Sequence, residues 1–152
     1  MDVIPGRPAL ASPYRALLTA LEKRVALPNI PPAYYHLAAM LLSGLCLYTQ
    51  APWQTMALVG VVLVTDWLDG ATARRYYEVR RSGYIIDVIT DRTSEAFIFA
   101  AADGRLLGQV FFLLWLVNSV LTFYSVYSNR HTALPLRFAY LILMAFRVPS
   151  SQ

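Results

Sequence analysis

Charge is scarce in this 152-residue sequence: Asp, Glu, Lys and Arg together make up 14% of it, against 57% hydrophobic residues. A soluble domain usually carries about 25% charged and about 45–50% apolar residues, so both departures favour a membrane protein. There is a single cysteine, Cys46, which excludes an intrachain disulfide; it lies in an apolar run and is expected to pack there. The net charge of +4 is small and scattered, so nucleic acid is not an expected partner.

The apolar residues are grouped into runs. Four runs cover residues 33–49, 53–74, 84–102 and 106–127, and a shorter fifth run, 134–146, contains Arg137. A helix that crosses a bilayer needs about 20 largely apolar residues, which run 106–127 supplies without interruption. Before them, residues 8–26 carry apolar side chains at helical spacing. This predicts an amphipathic helix on the bilayer surface, or equally a helix packed on the rest of the protein.

The sequence therefore predicts an all-α integral membrane bundle of about five spans. An N-terminal amphipathic segment would occupy residues 1–27, and a membrane-embedded domain residues 28–152. Basic residues precede the first run and cluster between the second and third, whereas the connection at 50–54 has none. Arginine and lysine favour the cytoplasmic side, so we expect the N-terminus and the 74–81 connection to face the cytoplasm.

Four aspartates interrupt the second and third runs: Asp66, Asp69, Asp87 and Asp91. Within each pair the spacing is three or four residues, so both members share one helix face. Gly70 and Gly83 accompany the two pairs and leave room for a ligand to approach the backbone. A short connection joins the two helices, which predicts antiparallel neighbours with all four carboxylates near the cytoplasmic end.

Such a cluster requires a counter-cation. Each charged side chain in a bilayer helix costs about 2.5–3.5 kcal/mol. Carboxylate oxygens suit Mg²⁺ or Mn²⁺, which proteins use to hold phosphate groups, and Arg74, one turn after Gly70, can pair with a phosphate. A solvated helix face would explain one pair of acids, but not four in apolar helices. A proton or cation relay in a small transporter or scaffold is an alternative use of such acids.

The spacing Asp66-x2-Asp69-Gly70-x2-Ala73-Arg74-x8-Gly83-x3-Asp87-x3-Asp91 resembles the signature of the CDP-alcohol phosphatidyltransferases. The resemblance covers residues 66–91, and Pro28-Asn29 is similar to a Pro-Asn pair that many members carry before the first span. Membrane prenyltransferases of the UbiA type also have two aspartate motifs. Theirs lie far apart in a longer chain and lack the Ala-Arg-x8-Gly connection.

The resemblance implies transfer of a substituted phosphate from a CDP-alcohol, such as CDP-diacylglycerol or an ether-lipid analogue, to the hydroxyl of a small polar acceptor. CMP would be released, as a step of phospholipid biosynthesis. The resemblance also implies a pair of divalent ions, Mg²⁺ or Mn²⁺, with Asp91 as general base. The implied metal ligands are Asp66, Asp69, Asp87 and Asp91. The implied contacts to the CDP-lipid are Asn29, Gly70, Ala73, Arg74 and Gly83.

The acceptor is less clearly indicated. Asp91-Arg92 resembles the inositol-phosphate-using branch, but the basic cluster which that branch tends to carry after the fourth span is thin here. A glycerol-phosphate-using enzyme, a phosphatidylglycerophosphate synthase, is therefore an open alternative. Arg137, inside an apolar run, is the candidate for binding an acceptor phosphate.

The resemblance also bears on cellular context and assembly. Members usually have six spans, so the resemblance implies a short or C-terminally truncated variant, in the plasma membrane of a prokaryote and able to form a homodimer. The two histidines, His36 and His131, have no metal-ligand spacing with another histidine or cysteine, and packing or solvent contact is expected for both.

Overall fold

The computed structural model describes residues 20–22, 24–77, 81–101, 106–128 and 134–147. These residues include five helices of 12 to 25 residues and no strand, which confirms the all-α prediction. The helices are α1 (Pro32–Leu45), α2 (Pro52–Tyr76), α3 (Arg81–Ala100), α4 (Leu106–Ser128) and α5 (Leu136–Arg147). A short 3₁₀ turn, Cys46–Tyr48, follows α1. Of the amphipathic helix predicted for 8–26, residues 20–22 and 24 are helical, and 8–19 and 23 lie outside the described residues.

Proline sets the start of two helices. α1 begins at Pro32 and α2 at Pro52, each at the first helical position, where the missing N–H of proline costs no hydrogen bond. The side chain of Gln54 reaches back to accept a hydrogen bond from the Ala51 N–H at 3.2 Å. The prolines that interrupt the apolar runs of the sequence therefore also fix where the helices begin.

Within the described residues, two helices are long and apolar enough to cross a membrane: α2, and the Gly108–Tyr127 part of α4. Only 28% and 22% of the residues in their most apolar stretches are buried, a smaller share than the core helix of a soluble protein would have. Val117, Val120 and Tyr127 of α4 point outward, with exposed fractions of 56%, 69% and 86%. Outward-facing apolar side chains of this kind are suited to lipid. The number of spans beyond these two stays a prediction, since α5 is short and α3 carries several charges.

The packing order places α1 at the centre of the bundle. α1 packs along both α2 and α3, while α4 packs on α3 and α5 packs on α2. The Ser43 hydroxyl of α1 and the Ser94 hydroxyl of α3 lie 2.5 Å apart and are fully buried. α2 and α3 themselves have few close backbone approaches. The two aspartate-bearing helices are thus held at their mutual spacing by α1.

The apolar core lies toward one end of the bundle. It consists of Cys46, Val59, Ile98, Phe99, Phe111, Leu136 and Tyr140. The rings of Phe99, Phe111 and Tyr140 contact one another with centroids 5.2–5.4 Å apart. Cys46 is a buried free thiol in this core, as predicted. Seven or eight residues separate the core positions of α2 and α3 from their nearest aspartates, roughly 10–12 Å along a helix.

Asn118 of α4 holds the start of α5. Its side-chain amide donates to the Leu134 carbonyl at 3.0 Å, and its Oδ1 accepts from the Leu134 N–H at 2.7 Å. Asn118 is fully buried. Leu136 and Tyr140 then fix α5 against the core. Arg137, between these two anchors, has its backbone held in place.

Replacing Asn118 by Ala should lower the free energy of unfolding by about 1–3 kcal/mol, because the two hydrogen bonds to the Leu134 backbone are lost and each contributes about 0.5–1.5 kcal/mol. Thermal unfolding in detergent measures the change. Ser119→Ala is the matched control on the same helix: the Ser119 hydroxyl is buried and has no hydrogen-bond partner among the described residues, so its loss should cost little. Equal effects of the two substitutions would contradict this role for Asn118.

Candidate active site

The four aspartates come together between α2 and α3. Asp66 shares a partner with Asp91, and Asp69 lies beside Asp87, which is the order expected of antiparallel helices. The two helices themselves have few close backbone approaches among the described residues. Side chains from α1 and α5 reach the aspartates instead.

The first pair, Asp69 and Asp87, is joined by His36 of α1. One ligand atom from each of the three residues lies within 4.8 Å of the others. His36 Nδ1 is 3.8 Å from Asp69 Oδ2. Asp69 is only 8% exposed, and its Oδ1 has no hydrogen-bond partner in the described part of the chain. Two carboxylates and an imidazole around a buried, unpaired oxygen are a donor set that fits a divalent cation.

His36 is the site residue that sequence reasoning assigned to packing or solvent contact. It lies 33 positions before Asp69, and only the packing of α1 on both acidic helices brings it there. Its position gave a usable signal. His36 is in the first turns of α1, at the end of the apolar run nearest the predicted cytoplasmic side, where the aspartates are also expected. The signal that could have identified His36 as a neighbour of the aspartates is its expected depth in the membrane, which equals theirs, rather than its spacing along the chain.

The second pair, Asp66 and Asp91, is bridged by Arg137 of α5. Arg137 Nη1 donates to Asp66 Oδ2, and Nη2 donates to Asp91 Oδ1 at 2.5 Å. Its Nε lies 3.7 Å from Glu95 Oε1. The arginine is 7% exposed. The residue expected to bind an acceptor phosphate thus pairs with two of the four aspartates.

Glu95 connects this bridge to a second buried arginine. Arg92 Nη1 lies 2.8 Å from Glu95 Oε2, and both side chains are almost fully buried. The Trp115 indole of α4 donates to the Arg92 carbonyl at 2.8 Å, which ties this turn of α3 to α4. The Asp91-Arg92 sequence that suggested the inositol-phosphate branch therefore includes an arginine committed to a buried ion pair.

The residues expected to contact the CDP group lie toward the end of α2 and the start of α3. A Cβ added at Gly70 would lie 3.1 Å from Arg74 Nη1, so the guanidinium covers this glycine. A Cβ at Gly83 would meet nothing within 4 Å, which leaves open space above the first turn of α3. Ala73 lies between Gly70 and the end of α2, and it is half-buried.

The segment before α1 is fastened to the same end of α2. Arg74 Nη2 donates to Glu22 Oε1 in an ion pair. The Tyr76 hydroxyl donates to the Leu27 carbonyl at 2.9 Å, and the Tyr77 hydroxyl donates to Asn29 Oδ1 at 3.1 Å. Asn29 and Arg74, two of the expected CDP contacts, are therefore tied to the same terminal turns of α2.

A comparison with protein families matches residues 26–147 to the model described as CDP-alcohol phosphatidyltransferase, and this match includes all four aspartates. The chain belongs to the CDP-alcohol phosphatidyltransferase family. No curated protein and no solved structure gives a significant match.

Membership of the CDP-alcohol phosphatidyltransferase family confirms the resemblance seen in the sequence. It implies an enzyme that transfers a phosphatidyl group from a CDP-alcohol to an alcohol acceptor in phospholipid synthesis, rather than a transporter or scaffold. The family is typically integral to membranes, which the two long apolar helices fit. The match lends no support to the inositol-phosphate branch over another, so the acceptor stays unassigned.

Proposed function

We propose that the chain is a metal-dependent transferase that moves the substituted phosphate of CDP-diacylglycerol, or of an ether-lipid analogue, to a small polar alcohol. The observation that carries this proposal is the meeting of two aspartate pairs in apolar helices, with one buried aspartate oxygen unpaired among the described residues. Asp69 and Asp87 would hold Mg²⁺ or Mn²⁺, and Asp66 and Asp91 complete the expected ligand set. A bound divalent ion would supply positive charge against the diphosphate and the departing CMP.

His36 extends this donor set beyond the aspartates of the family signature. Mg²⁺ prefers oxygen ligands in near-octahedral geometry, whereas imidazole suits transition metals better. With His36 Nδ1 beside Asp69, the site favours Mn²⁺ over Mg²⁺.

Asp91 is the general base of the proposal. Its carboxylate would take the proton of the acceptor hydroxyl, and the hydroxyl oxygen would attack the β-phosphorus of the CDP-lipid. The bond from that phosphorus to the bridging oxygen breaks, and CMP leaves with the electron pair. This assignment follows the family resemblance and is compatible with the position of Asp91 opposite the α2 aspartates.

The CDP group would lie across the ends of α2 and α3. Arg74 would pair with the diphosphate through its fork of donors. The open space at Gly83 and the guanidinium-covered face of Gly70 support this placement, with Ala73 and Asn29 as neighbouring contacts.

The membrane placement is part of the proposal. The acyl chains of the donor would stay in lipid while the nucleotide and acceptor come from water. This placement requires the N-terminus and the active site to face the cytoplasm, in the plasma membrane of a prokaryote. The segment 1–27 would lie on that surface, and a homodimer is the expected assembly.

The test is CMP release by the purified chain in nanodiscs with CDP-diacylglycerol and Mg²⁺ or Mn²⁺. Inositol phosphate, glycerol 3-phosphate, serine and inositol are supplied in turn as acceptors. Metal-dependent CMP release with one acceptor supports the proposal and identifies the branch. No CMP release with any of them, from protein that binds the CDP-lipid, would contradict the proposed reaction with this acceptor class.

The ion pair between Glu22 and Arg74 yields a prediction about donor affinity. The Arg74 side chain is 48% exposed, so the pair contributes about 0–1 kcal/mol. Because Glu22 competes with the diphosphate for Arg74, Glu22→Gln should lower the KM for the CDP-lipid by up to about fivefold. Steady-state kinetics at saturating acceptor measures this change.

Glu22→Asp, which keeps the carboxylate, is the matched control and should change the KM less. An increased KM in Glu22→Gln would show instead that Glu22 holds Arg74 in its binding position.

A further inference from the structure

Arg137 occupies the space between two of the four signature carboxylates. Its two terminal nitrogens pair with Asp66 and Asp91, and its Nε faces Glu95. A metal ion shared by Asp66 and Asp91 would compete with the guanidinium for the carboxylate oxygens that it now pairs with. It would also be repelled by the arginine charge at close range in a low-dielectric site.

The arginine is fixed in this position by its surroundings. The guanidinium is 7% exposed, and α5 is anchored on either side of it by Leu136 and Tyr140 in the apolar core. Asn118 holds the backbone just before α5. Glu95, itself paired with Arg92, faces the third guanidinium nitrogen. This is a built ion-pair network rather than a surface side chain in a chance contact.

Asp69 and Asp87 are not bridged by an arginine in the described part of the chain. Asp69 and Asp87 have His36 beside them, and Asp69 Oδ1 has no hydrogen-bond partner within the described residues. Arg74, the nearest arginine along α2, pairs with Glu22. The four aspartates are thus divided into a pair neutralised by a guanidinium and a pair with donor atoms available to a metal.

We propose that in the substrate-free protein Arg137 replaces the second divalent cation, so that the chain binds one Mg²⁺ or Mn²⁺ at Asp69, Asp87 and His36. The inference rests on the proposed function and revises its metal content, since the family resemblance implies a pair of ions. A second ion enters only when Arg137 leaves Asp66 and Asp91. The site therefore has a resting state in which the carboxylate expected to act as base is paired with an arginine.

The experiment is a Mn²⁺ titration of the full chain in nanodiscs without substrate, with free Mn²⁺ followed by its electron paramagnetic resonance signal. The wild type should bind about one Mn²⁺ tightly, and Arg137→Gln should bind about two, because the four carboxylates are then all available. Arg137→Lys keeps a positive charge at this position and should remain at about one. Arg75→Gln is the control: Arg75 lies over the Tyr76 ring at 5.6 Å, outside the network, and its loss should leave the count unchanged.

Two tightly bound Mn²⁺ in the wild type would overturn the inference and leave the proposed transferase intact. A count of one in a folded Arg137→Gln, judged by size exclusion and helical circular dichroism, would also overturn it. If Arg137→Gln does not fold, the wild-type and Arg137→Lys counts decide. No Mn²⁺ bound by any variant would overturn the inference together with the metal site of the proposed function, and CMP release would then test the transferase separately.

Discussion

Asp91→Asn should reduce metal-dependent CMP release by about 10²–10⁴-fold, the usual contribution of a general base. The amide keeps the size of the carboxylate and can still accept a hydrogen bond from Arg137, but it does not accept the acceptor's proton. The loss should appear in kcat and not in the KM for the CDP-lipid, because Asp91 is not among the residues proposed to contact the CDP group. Initial rates of CMP release at saturating donor and acceptor measure it.

The control for Asp91→Asn is Asp103→Asn, the same carboxylate-to-amide change in the connection between α3 and α4. A second control on α3 itself is Thr93→Ala, since the Thr93 hydroxyl donates to the Ile89 carbonyl of its own helix at 2.9 Å; this change should leave the rate within about twofold. A folded Asp91→Asn protein with wild-type kcat would exclude Asp91 as the base.

Asp69→Asn should weaken Mn²⁺ binding by at least about 100-fold, because even indirect changes around a metal commonly cost about 10–100-fold in affinity. Asp69 is the buried aspartate whose Oδ1 has no partner in the described chain and whose Oδ2 faces His36. The asparagine amide offers a metal one neutral oxygen in place of the two charged oxygens of the aspartate. Mn²⁺ titration of the substrate-free protein measures the affinity, so the result does not depend on turnover.

Asp66→Asn gives the informative contrast to Asp69→Asn. Asp66 is engaged by Arg137, so the tight Mn²⁺ site at Asp69 and Asp87 should survive its replacement. Equal loss of Mn²⁺ in both variants would show that a single ion spans the two pairs, against the division described above.

The aspartate pairs could be predicted from the sequence because their geometry is local. Spacings of three and four residues fix a shared helix face, and a short connection fixes the antiparallel order. The structure has both features, with Asp66 opposite Asp91 and Asp69 opposite Asp87. The starts of α1 at Pro32 and of α2 at Pro52 can be inferred from the sequence for the same reason, since proline restricts only its own turn of the chain.

What the sequence did not reveal depends on packing between distant segments. His36 and Arg137 reach the aspartates from α1 and α5, and neither has a spacing rule that links it to them. Arg137 stood out as an intramembrane charge, but its partners follow from how α5 is anchored by Asn118 and Tyr140. The packing of α1 against both acidic helices has no local sequence signal, because it joins residues that are far apart along the chain.

The central position of α1 has a consequence for how members of this family can diverge. Since α1 contacts α2 and α3 more than they contact each other, a change of side-chain volume on either acidic helix must be matched on α1. Buried α1 positions such as Ala39 and Ser43 should therefore covary with residues of both helices across homologues. Direct covariation between α2 and α3 should be confined to the few positions around the aspartates. The spacing of the four aspartates would then be inherited through a helix that contributes none of them.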